Sequence, residues 1–273
     1  MKGLVIKKNA NLFTIEHDEK LVNLMPSGKT RASGIFVGDI VEFDDAITKV
    51  YERKNILIRP PIANLDKMFI VISSIPKPDF ILIDKIIIYC HLNEIEPIIV
   101  INKVDIVNED FIKSVKEDYK CYKILCASAK NNELSSLENE IEGICAFAGQ
   151  SAVGKSSLIN SLFKSKQADV GNLSKKIERG KQTTRIVSLY KFKKGYIADT
   201  AGFSMLDLSM VSNINERELS SYYPDFLEGR ALCKYRSCLH EFGECGVISL
   251  VKSGQISKRR YLNYLKILEE LKK

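Results

Sequence analysis

An eight-residue segment in the middle of the chain has the composition and spacing of a loop that cradles phosphate groups. It matches the pattern G-x-x-x-x-G-K-[ST] in full, with Gly149, Gln150, Ser151, Ala152, Val153, Gly154, Lys155 and Ser156. The glycines let backbone N–H groups close around phosphate oxygens, and the helix expected over residues 157–163 adds its N-terminal dipole. We expect Lys155 to contact the β- and γ-phosphates and to assist catalysis, Ser156 to ligate Mg²⁺, and Ser157 to complete the nucleotide contacts.

Two shorter motifs indicate which base the nucleotide carries. They are Asn102, Lys103, Val104 and Asp105, and then Ser128, Ala129 and Lys130. The Asp105 carboxylate can accept from both the N1–H and the amino group of guanine, a donor pair that adenine lacks, so an ATP site is disfavoured. The Lys103 stem can cover the ring face, Asn102 can tie this loop to the phosphate loop, and Ala129 can give its backbone N–H to guanine O6.

The remaining groups of such a site follow the phosphate loop. Asp199, Thr200, Ala201 and Gly202 form a D-x-x-G motif. We expect Asp199 to hold Mg²⁺, usually through water, and the N–H of Gly202 to contact the γ-phosphate. A hydroxyl of Thr183 or Thr184 can complete the Mg²⁺ shell, and the sequence favours Thr184 only slightly.

The order of these motifs is unusual for a GTPase, because the base-reading motifs precede the phosphate loop. A parallel sheet keeps its site through such a rearrangement, since the site needs loops at given strand ends and not a given chain order. The sequence therefore predicts an α/β fold built on a circularly permuted P-loop GTPase domain. Phe203 stands where many GTPases have a glutamine that orients the attacking water. We therefore expect slow hydrolysis unless another group or a partner supplies that contact.

A cluster near the C-terminus has the ligands of a structural zinc site. Cys233, Cys238, His240 and Cys245 give three thiolates and one imidazole within thirteen residues, which is a full tetrahedral set. The alternative is a patch of free thiols. The other cysteines, Cys90, Cys121, Cys126 and Cys145, lie among apolar residues and are predicted to be buried.

Composition is that of a globular protein, with 45% hydrophobic and 27% charged residues. No apolar run approaches the roughly 20 residues that cross a bilayer, and the N-terminus lacks the apolar stretch of a signal peptide, so we expect a cytoplasmic protein without membrane contact. Residues 164–194 contain ten Lys or Arg against two acids, more than the whole net charge of +7. This basic segment is either a solvated loop or a contact for an RNA backbone.

Three domains are expected. Residues 1–60 contain five short strand patterns separated by turn residues, which suit a small barrel of the oligonucleotide-binding (OB) type, with or without a ligand. Residues 61–206, after Pro60 and Pro61, alternate apolar strands with amphipathic helices. Residues 207–273 are polar and helical, and they include the cysteine–histidine cluster and a helix predicted over residues 256–271.

With these residues in place, nearly the whole chain resembles the ribosome small-subunit-dependent GTPases of bacteria, a circularly permuted family. The family's phosphate loop, G-x-S-x-V-G-K-S-S-L-I-N, is similar to residues 149–160, and its zinc motif maps onto the cluster described above. The resemblance implies an OB barrel, a permuted GTPase domain and a zinc domain. It also implies a role in late maturation of the small ribosomal subunit, contact with its rRNA, and GTP hydrolysis stimulated by that subunit.

Three positions depart from the family pattern. The family usually has a histidine before the threonine pair, where this chain has Gln182, which can orient a water but cannot act as a base. Ala201 replaces a proline, and the gap between His240 and Cys245 is one residue shorter. Two other functions remain open, a permuted GTPase factor for the large subunit and a non-hydrolysing RNA-binding module that senses GTP or GDP. We expect a monomer.

Overall fold

The computed structural model describes residues 1–31, 34–164, 187–199, 211 and 213–273. Its N-terminal part is an antiparallel sheet in the order β3-β2-β1-β4-β5. The strands are β1 (Lys2–Asn9), β2 (Leu12–His17), β3 (Lys20–Leu24), β4 (Ile40–Phe43) and β5 (Ile47–Val50), which confirms the five predicted strands. A short helix, α1 (Gly28–Arg31), lies between β3 and β4.

The barrel closes because the segment after β3 pairs with β5. The Ile47 N–H donates to the Met25 carbonyl at 3.0 Å, and the Ser27 N–H donates to the Ile47 carbonyl at 2.9 Å. Alternate residues of the strands point inward, and Val5, Ile15 and other apolar side chains form a core of their own. This is the architecture expected of an OB-type barrel.

A hairpin that the sequence did not predict connects the barrel to the next sheet. Its strands are β6 (Ile56–Ile58) and β7 (Pro61–Ala63), which pair antiparallel. Pro60 and Pro61, expected to mark a boundary, lie within this hairpin.

A six-stranded sheet forms the centre of the molecule. Its strands are β8 (Lys67–Ile72), β9 (Glu96–Ile101), β10 (Lys123–Cys126), β11 (Glu142–Ala148), β12 (Leu189–Phe192) and β13 (Lys194–Ala198). Their order is β10-β9-β8-β11-β13-β12, all parallel except β12, which pairs antiparallel with β13. The chain runs outward from β8 to β10 and then restarts at β11. This reversal opens a crevice at the carboxyl ends of β8 and β11, where open α/β sheets bind ligands.

Both faces of this sheet are covered, as the continuous apolar strands require. Four helices accompany the strands, α2 (Phe80–Leu92), α3 (Glu109–Asp118), α4 (Ser135–Glu140) and α5 (Lys155–Lys164). Because successive side chains alternate, Phe69 and Phe147 pack on one face with Leu158 of α5, whereas Met68 packs on the other face with Ile87 of α2.

The C-terminal part is helical, as predicted. It contains 3₁₀ turns at Leu219–Tyr222 and Pro224–Phe226, followed by α6 (Leu227–Ala231), α7 (Gly246–Lys252) and α8 (Lys258–Leu271). Helix α8 packs on α2, so α2 is enclosed between the sheet and the C-terminal part. An added Cβ at Gly246 would lie 2.2 Å from the Gly229 carbonyl oxygen, so the close approach of α6 and α7 requires glycine.

A buried ion cluster joins α8 to α2. Arg260, with a side chain 1% exposed, pairs with the fully buried Asp84 and, at 2.9 Å, with Asp225. Its guanidinium lies 4.5 Å from the ring centroid of Tyr223. Asn263 donates to the second Asp84 oxygen at 2.8 Å. A charge enclosed in this way is tolerable only when it is paired and hydrogen-bonded, so the cluster fixes the register of α8 on α2.

The prediction of four buried cysteines outside the cluster was partly wrong. Cys90 and Cys145 are buried and Cys126 is half-buried, but Cys121 is exposed. Cys121 falls in the turn between α3 and β10, two residues before the strand begins, so its apolar neighbours in sequence do not enclose it. Within the described ranges, none of the helices has the length and apolar character that a membrane span needs.

Candidate nucleotide site and metal centre

The predicted site loops meet at one edge of the central sheet. The loops that begin at Asn102, Ala127, Gly149 and Asp199 follow β9, β10, β11 and β13, and these four strands are mutually parallel. Their carboxyl ends therefore face the same crevice. Each of these motifs thus follows a strand end, as a site built from the loops of a parallel sheet requires.

The phosphate loop needs glycine at two positions. Gly149 has φ +129° and Gly154 has φ +97°, a region that favours glycine. An added Cβ at Gly149 would lie 2.4 Å from the Val71 carbonyl oxygen, and at Gly154 it would lie 2.3 Å from Asn102 Nδ2. The loop is therefore pressed against β8 and the base-reading loop. Helix α5 begins at Lys155, directly after Gly154, and directs its N-terminus at the loop.

Lys155 extends back into the phosphate loop. Its side chain is buried, and Nζ donates to the carbonyls of Gly149 at 2.8 Å and Gln150 at 2.9 Å. Burial lowers the pKa of Lys155. An anion in the loop would replace weak carbonyl partners with a full negative charge, which strengthens the hydrogen bonds of the ammonium group. Ser156 and Ser157, in the first turn of α5, are exposed.

Asp105 is held as an ionised acceptor. Ser128 Oγ donates to Asp105 Oδ1 at 2.7 Å, and Lys130 Nζ lies 3.8 Å from Oδ2. The Ser128 hydrogen bond is the largest of the influences that lower the pKa of Asp105, and the Lys130 charge adds to it. Ser128 is itself fully buried and receives the Asn131 N–H at 3.1 Å. The two base-reading motifs are thus joined through this pair.

The base-reading loop is also tied to the phosphate loop. Asn102 Nδ2 donates to the Val153 carbonyl at 2.9 Å, and Lys103 Nζ donates to the Ala152 carbonyl at 2.9 Å. Lys103 adopts φ +61°, which turns the chain sharply at the strand end. Among the described residues, no partner reaches the buried Asn102 Oδ1. This buried acceptor, which lies between the two loops, can take a hydrogen bond from a bound ligand or water.

The loop that contains residues 128–130 is connected to α5, the helix that follows the phosphate loop. Ser161 Oγ on α5 donates to the Ala129 carbonyl at 3.1 Å. Lys130, next to Ala129, has a side chain 79% exposed, so its ammonium remains accessible at the rim. The structure therefore brings residues 102–105, 128–130 and 149–157 into one connected surface.

Asp199 follows β13 at the same edge. Its N–H donates to the Ser188 carbonyl at 2.9 Å, which fixes the backbone from which the carboxylate extends, and the residue is half-buried. The other residues considered for this side of the site lie outside the described residues. They are Gln182, Thr183, Thr184, Thr200, Ala201, Gly202 and Phe203.

One contributor to the site was missed by sequence reasoning, the loop after β8. The Asp79 N–H donates to Gln150 Oε1 at 3.1 Å, and the Ile75 carbonyl accepts from Lys103 Nζ at 2.9 Å. Asp79 also caps α2, accepting from the Leu82 N–H at 3.0 Å. The position of this loop directly after an apolar strand could have indicated its role, because any loop after a parallel strand of this sheet reaches the same edge.

A second candidate centre lies in the C-terminal part. The ligand atoms of Cys233, Cys238, His240 and Cys245 all lie within 4.8 Å of one another. His240 Nδ1 is 3.3 Å from Cys245 Sγ and 3.5 Å from Cys233 Sγ, and the two sulfurs are 3.7 Å apart. Four soft or borderline donors that converge on one point can hold a metal ion.

Backbone geometry and hydrogen bonds position this cluster. His240 is buried with φ +56°, and its carbonyl accepts from Tyr261 Oη at 2.8 Å. Tyr264 Oη donates to the Leu239 carbonyl at 2.9 Å. Both tyrosines belong to α8, so the helix that carries Arg260 also supports the cluster. Burial lowers the pKa of His240 to about 4, so the imidazole is neutral and its lone pair is available to a metal at pH 7.

Comparison with known proteins gives the family. A model of the RsgA GTPase family matches residues 50–209. Curated relatives named small ribosomal subunit biogenesis GTPase RsgA include RsgA 2 of Oceanobacillus iheyensis, 38% identical over 99% of this chain and 97% of that protein. The relative of that name in Thermotoga neapolitana is 35% identical over 99% of this chain and 96% of that protein.

Solved structures agree over the same length. YjeQ from Thermotoga maritima is 33% identical, with a TM-score of 0.83, and the match covers 99% of this chain and 98% of that chain. YloQ, described as a circularly permuted GTPase, is 30% identical, with a TM-score of 0.80 and 94% of its chain covered. The family model covers more than half of the chain, the relatives match it over nearly its whole length, and its own motifs stand in the permuted order, so it is a circularly permuted, GTP-hydrolysing member of the RsgA GTPase family.

Proposed function

We propose that this GTPase acts on the small ribosomal subunit in its late maturation, binding its rRNA and hydrolysing GTP in response to it. The observation that supports the proposal most is the length of chain over which the relatives are similar to this protein. Relatives whose names specify biogenesis of the small ribosomal subunit align with 99% of the chain, including the barrel and the C-terminal part that lie outside the GTPase match.

Guanine recognition is assigned to Asp105, held ionised by Ser128, with Ala129 contributing a backbone N–H to guanine O6. The Asn102 and Lys103 side chains keep the base-reading and phosphate loops at a fixed separation, as their 2.9 Å bonds to Val153 and Ala152 support. Backbone N–H groups of the phosphate loop and Gly202 surround the phosphates. Lys155 supplies a positive charge that is already aligned by two carbonyls.

Catalysis is assigned to a small group of residues around the γ-phosphate. Ser156, Asp199 and Thr184 would hold Mg²⁺, which neutralises developing charge on the phosphate oxygens. Gln182 orients the attacking water, because Phe203 has no polar atom with which to do so. Thr184 and Gln182 lie in the basic segment of residues 164–194, so a partner that contacts this segment can act on both.

Zinc is the metal proposed for the C-terminal centre. Zinc–sulfur and zinc–nitrogen bonds of about 2.3 and 2.0 Å place tetrahedral ligand atoms roughly 3.5–3.8 Å apart. The separations of 3.3–3.7 Å among Cys233, His240 and Cys245 are close to that range. A closed set of three cysteines and one histidine leaves no position for substrate, so the ion would be structural.

Three functional domains are proposed, residues 1–60, 61–206 and 207–273. The barrel, the basic segment and the zinc domain would contact rRNA, and the protein would act as a cytoplasmic monomer.

The test is GTP hydrolysis by the purified chain with small subunits, with large subunits and alone, and Lys155→Ala serves as the inactive control. Stimulation by small subunits only is expected. Equal stimulation by large subunits would favour a large-subunit factor. Single-turnover hydrolysis that no subunit accelerates, with intact GTP binding, would mean that the chain senses GTP without a subunit-dependent activity.

A further inference from the structure

The barrel touches the central sheet at the strand end that leads to Asp199. Among the described strands, β12 is the edge of the central sheet. At Ser188, just before β12, an antiparallel bridge joins this edge to Lys7 of β1. Strand β1 therefore covers the edge of the sheet at the end that faces the nucleotide site.

Ser188 has a second role in the same place. Its carbonyl accepts the Asp199 N–H at 2.9 Å, one residue beyond the pair formed by Leu189 and Ala198. The same residue is thus paired with the barrel strand on one side and hydrogen-bonded on the other to the backbone of Asp199, whose carboxylate is assigned to Mg²⁺. If β1 were displaced, the backbone at Ser188 would be held less firmly, and so would the backbone of Asp199, which is hydrogen-bonded to it.

Two further features hold the barrel at this point. The register between β1 and β2 shifts between Val5 and Lys7, a bulge that redirects the strand just before the bridge. Lys191 of β12 then pairs with Glu16 of β2, with Nζ and Oε1 2.9 Å apart. The Glu16 side chain is only 11% exposed, so this ion pair is partly shielded from water.

We propose that the barrel is a positioning element for the Mg²⁺ side of the nucleotide site, with Ser188 as the link and the Lys191–Glu16 pair as the clamp. The inference rests on the proposed role of Asp199 as a metal contact. By thermodynamic reciprocity, a partner that binds the barrel and stabilises this contact raises the affinity for Mg²⁺ with GTP, and Mg²⁺ with GTP raises the affinity for that partner.

A matched pair of lysine variants in the full chain tests this. Lys191→Gln removes the pair with Glu16 and a longer one, at 3.6 Å, with the exposed Glu19 of the barrel. Lys193→Gln removes a pair at 2.6 Å from the same hairpin to Glu138 of α4, which does not involve the barrel. The measurements are the Mg²⁺ concentration for half-maximal binding of a fluorescent GTP analogue, without ribosomes, and the GDP affinity in EDTA.

Lys191→Gln is expected to raise the half-saturating Mg²⁺ concentration about two- to fivefold, as loss of its partly exposed ion pairs with the barrel allows. Its GDP affinity in EDTA should match the parent, because the phosphate and base loops are untouched. Lys193→Gln should leave the Mg²⁺ midpoint unchanged, and the charge swap Lys191→Glu with Glu16→Lys should restore the parent value.

An unchanged midpoint in Lys191→Gln would overturn the inference, as would an equal shift in Lys193→Gln or failure of the charge swap to restore the midpoint. Thermal unfolding of each variant identifies any general loss of fold. Failure of the proposed site is recognised separately, since the parent itself would then show no Mg²⁺-dependent binding of guanine nucleotide.

Discussion

Asn102 and Val153 connect the two halves of the permuted site through one buried hydrogen bond. The Asn102 side-chain amide donates to the Val153 carbonyl at 2.9 Å across 51 residues of chain, and Asn102 is 1% exposed. The base-reading loop and the phosphate loop therefore move as one unit.

Gly154→Ala should break this connection. An added Cβ would lie 2.3 Å from Asn102 Nδ2, where φ is +97°, so both the backbone and the amide must shift. We expect about a tenfold or greater loss of GTP affinity, equivalent to about 1.4 kcal/mol, measured by titration. Gly254→Ala is the control, since Gly254 has φ +78° and nothing within 4 Å of its added Cβ. A similar loss in the control would mean that backbone strain alone is responsible.

Asp105→Asn should exchange guanine for xanthine preference. The carboxylate accepts two donors from guanine, and an amide presents one donor and one acceptor instead. GTP binding should weaken by roughly a hundredfold or more while XTP binding strengthens, as competition assays would measure. Asp110→Asn, at an exposed position on α3, gives the same change of net charge without contact to the site. Unaltered GTP affinity in Asp105→Asn would rule out Asp105 as the reader of the base.

Arg260→Met should destabilise the fold strongly, because it leaves Asp84 buried without a counter-charge. A loss of about 3–5 kcal/mol is expected in urea unfolding. The neighbouring Arg259, 38% exposed and paired with Asp118, is the control, and Arg259→Met should cost about 1 kcal/mol or less. Comparable losses for the two variants would show that burial of the cluster is unimportant.

The loss of stability caused by Arg260→Met should depend on pH. Burial raises the pKa of Asp84, and Arg260 opposes that rise. Without Arg260 the folded-state pKa of Asp84 rises well above its unfolded value. The contribution of Asp84 to the stability of the variant is therefore favourable at low pH, and it is lost as pH increases through the folded-state pKa. The difference from the parent should therefore shrink as pH is lowered from about 7 to about 5. A constant difference over this range would contradict an uncompensated carboxylate.

Cys238→Ser should release the metal and unfold the C-terminal part. Protein purified without added metal is expected to contain about one zinc per chain, with a tetrahedral absorption spectrum of sulfur and nitrogen ligands. The variant should lose it and become sensitive to proteolysis after residue 211, with GDP binding retained. Cys121→Ser, at the exposed cysteine, should keep the metal. Detection of disulfides in place of metal would exclude the zinc site.

The basic segment should contribute to rRNA binding through its charge. Replacing Lys175, Lys176 and Lys181 with Ala removes three of its ten basic residues. Binding to small subunits should weaken at low salt, and its salt dependence should flatten, because each neutralised phosphate adds to the slope. GTP affinity should stay at the parent value. Identical salt slopes would mean that these lysines face solvent.

Most loops of the candidate site could be predicted from local sequence, because the conformation of each loop depends on residues that are close in the chain. Gly149 and Gly154 have the positive φ angles that the phosphate loop requires. The strands before Asn102 and Asp199 are short apolar runs, so the first polar residue after each run marks the end of the strand. Parallel pairing then places those ends together. Prediction failed at Cys121, since an apolar pattern does not specify where a turn becomes a strand.

Contacts between distant segments were decided only by the tertiary structure. The Asp84–Arg260 pair spans 176 residues, and the contact of Lys7 with Ser188 joins the barrel to the last part of the sheet. A single Asp among the isoleucines of α2 signals that a buried partner must exist, because an isolated charge is costly in an apolar interior. The sequence does not name the partner, since its identity depends on how α8 packs on α2. The sequence by itself determined which loops are proposed to bind nucleotide and metal, and the packing of the barrel and of α8 determined how those loops are held.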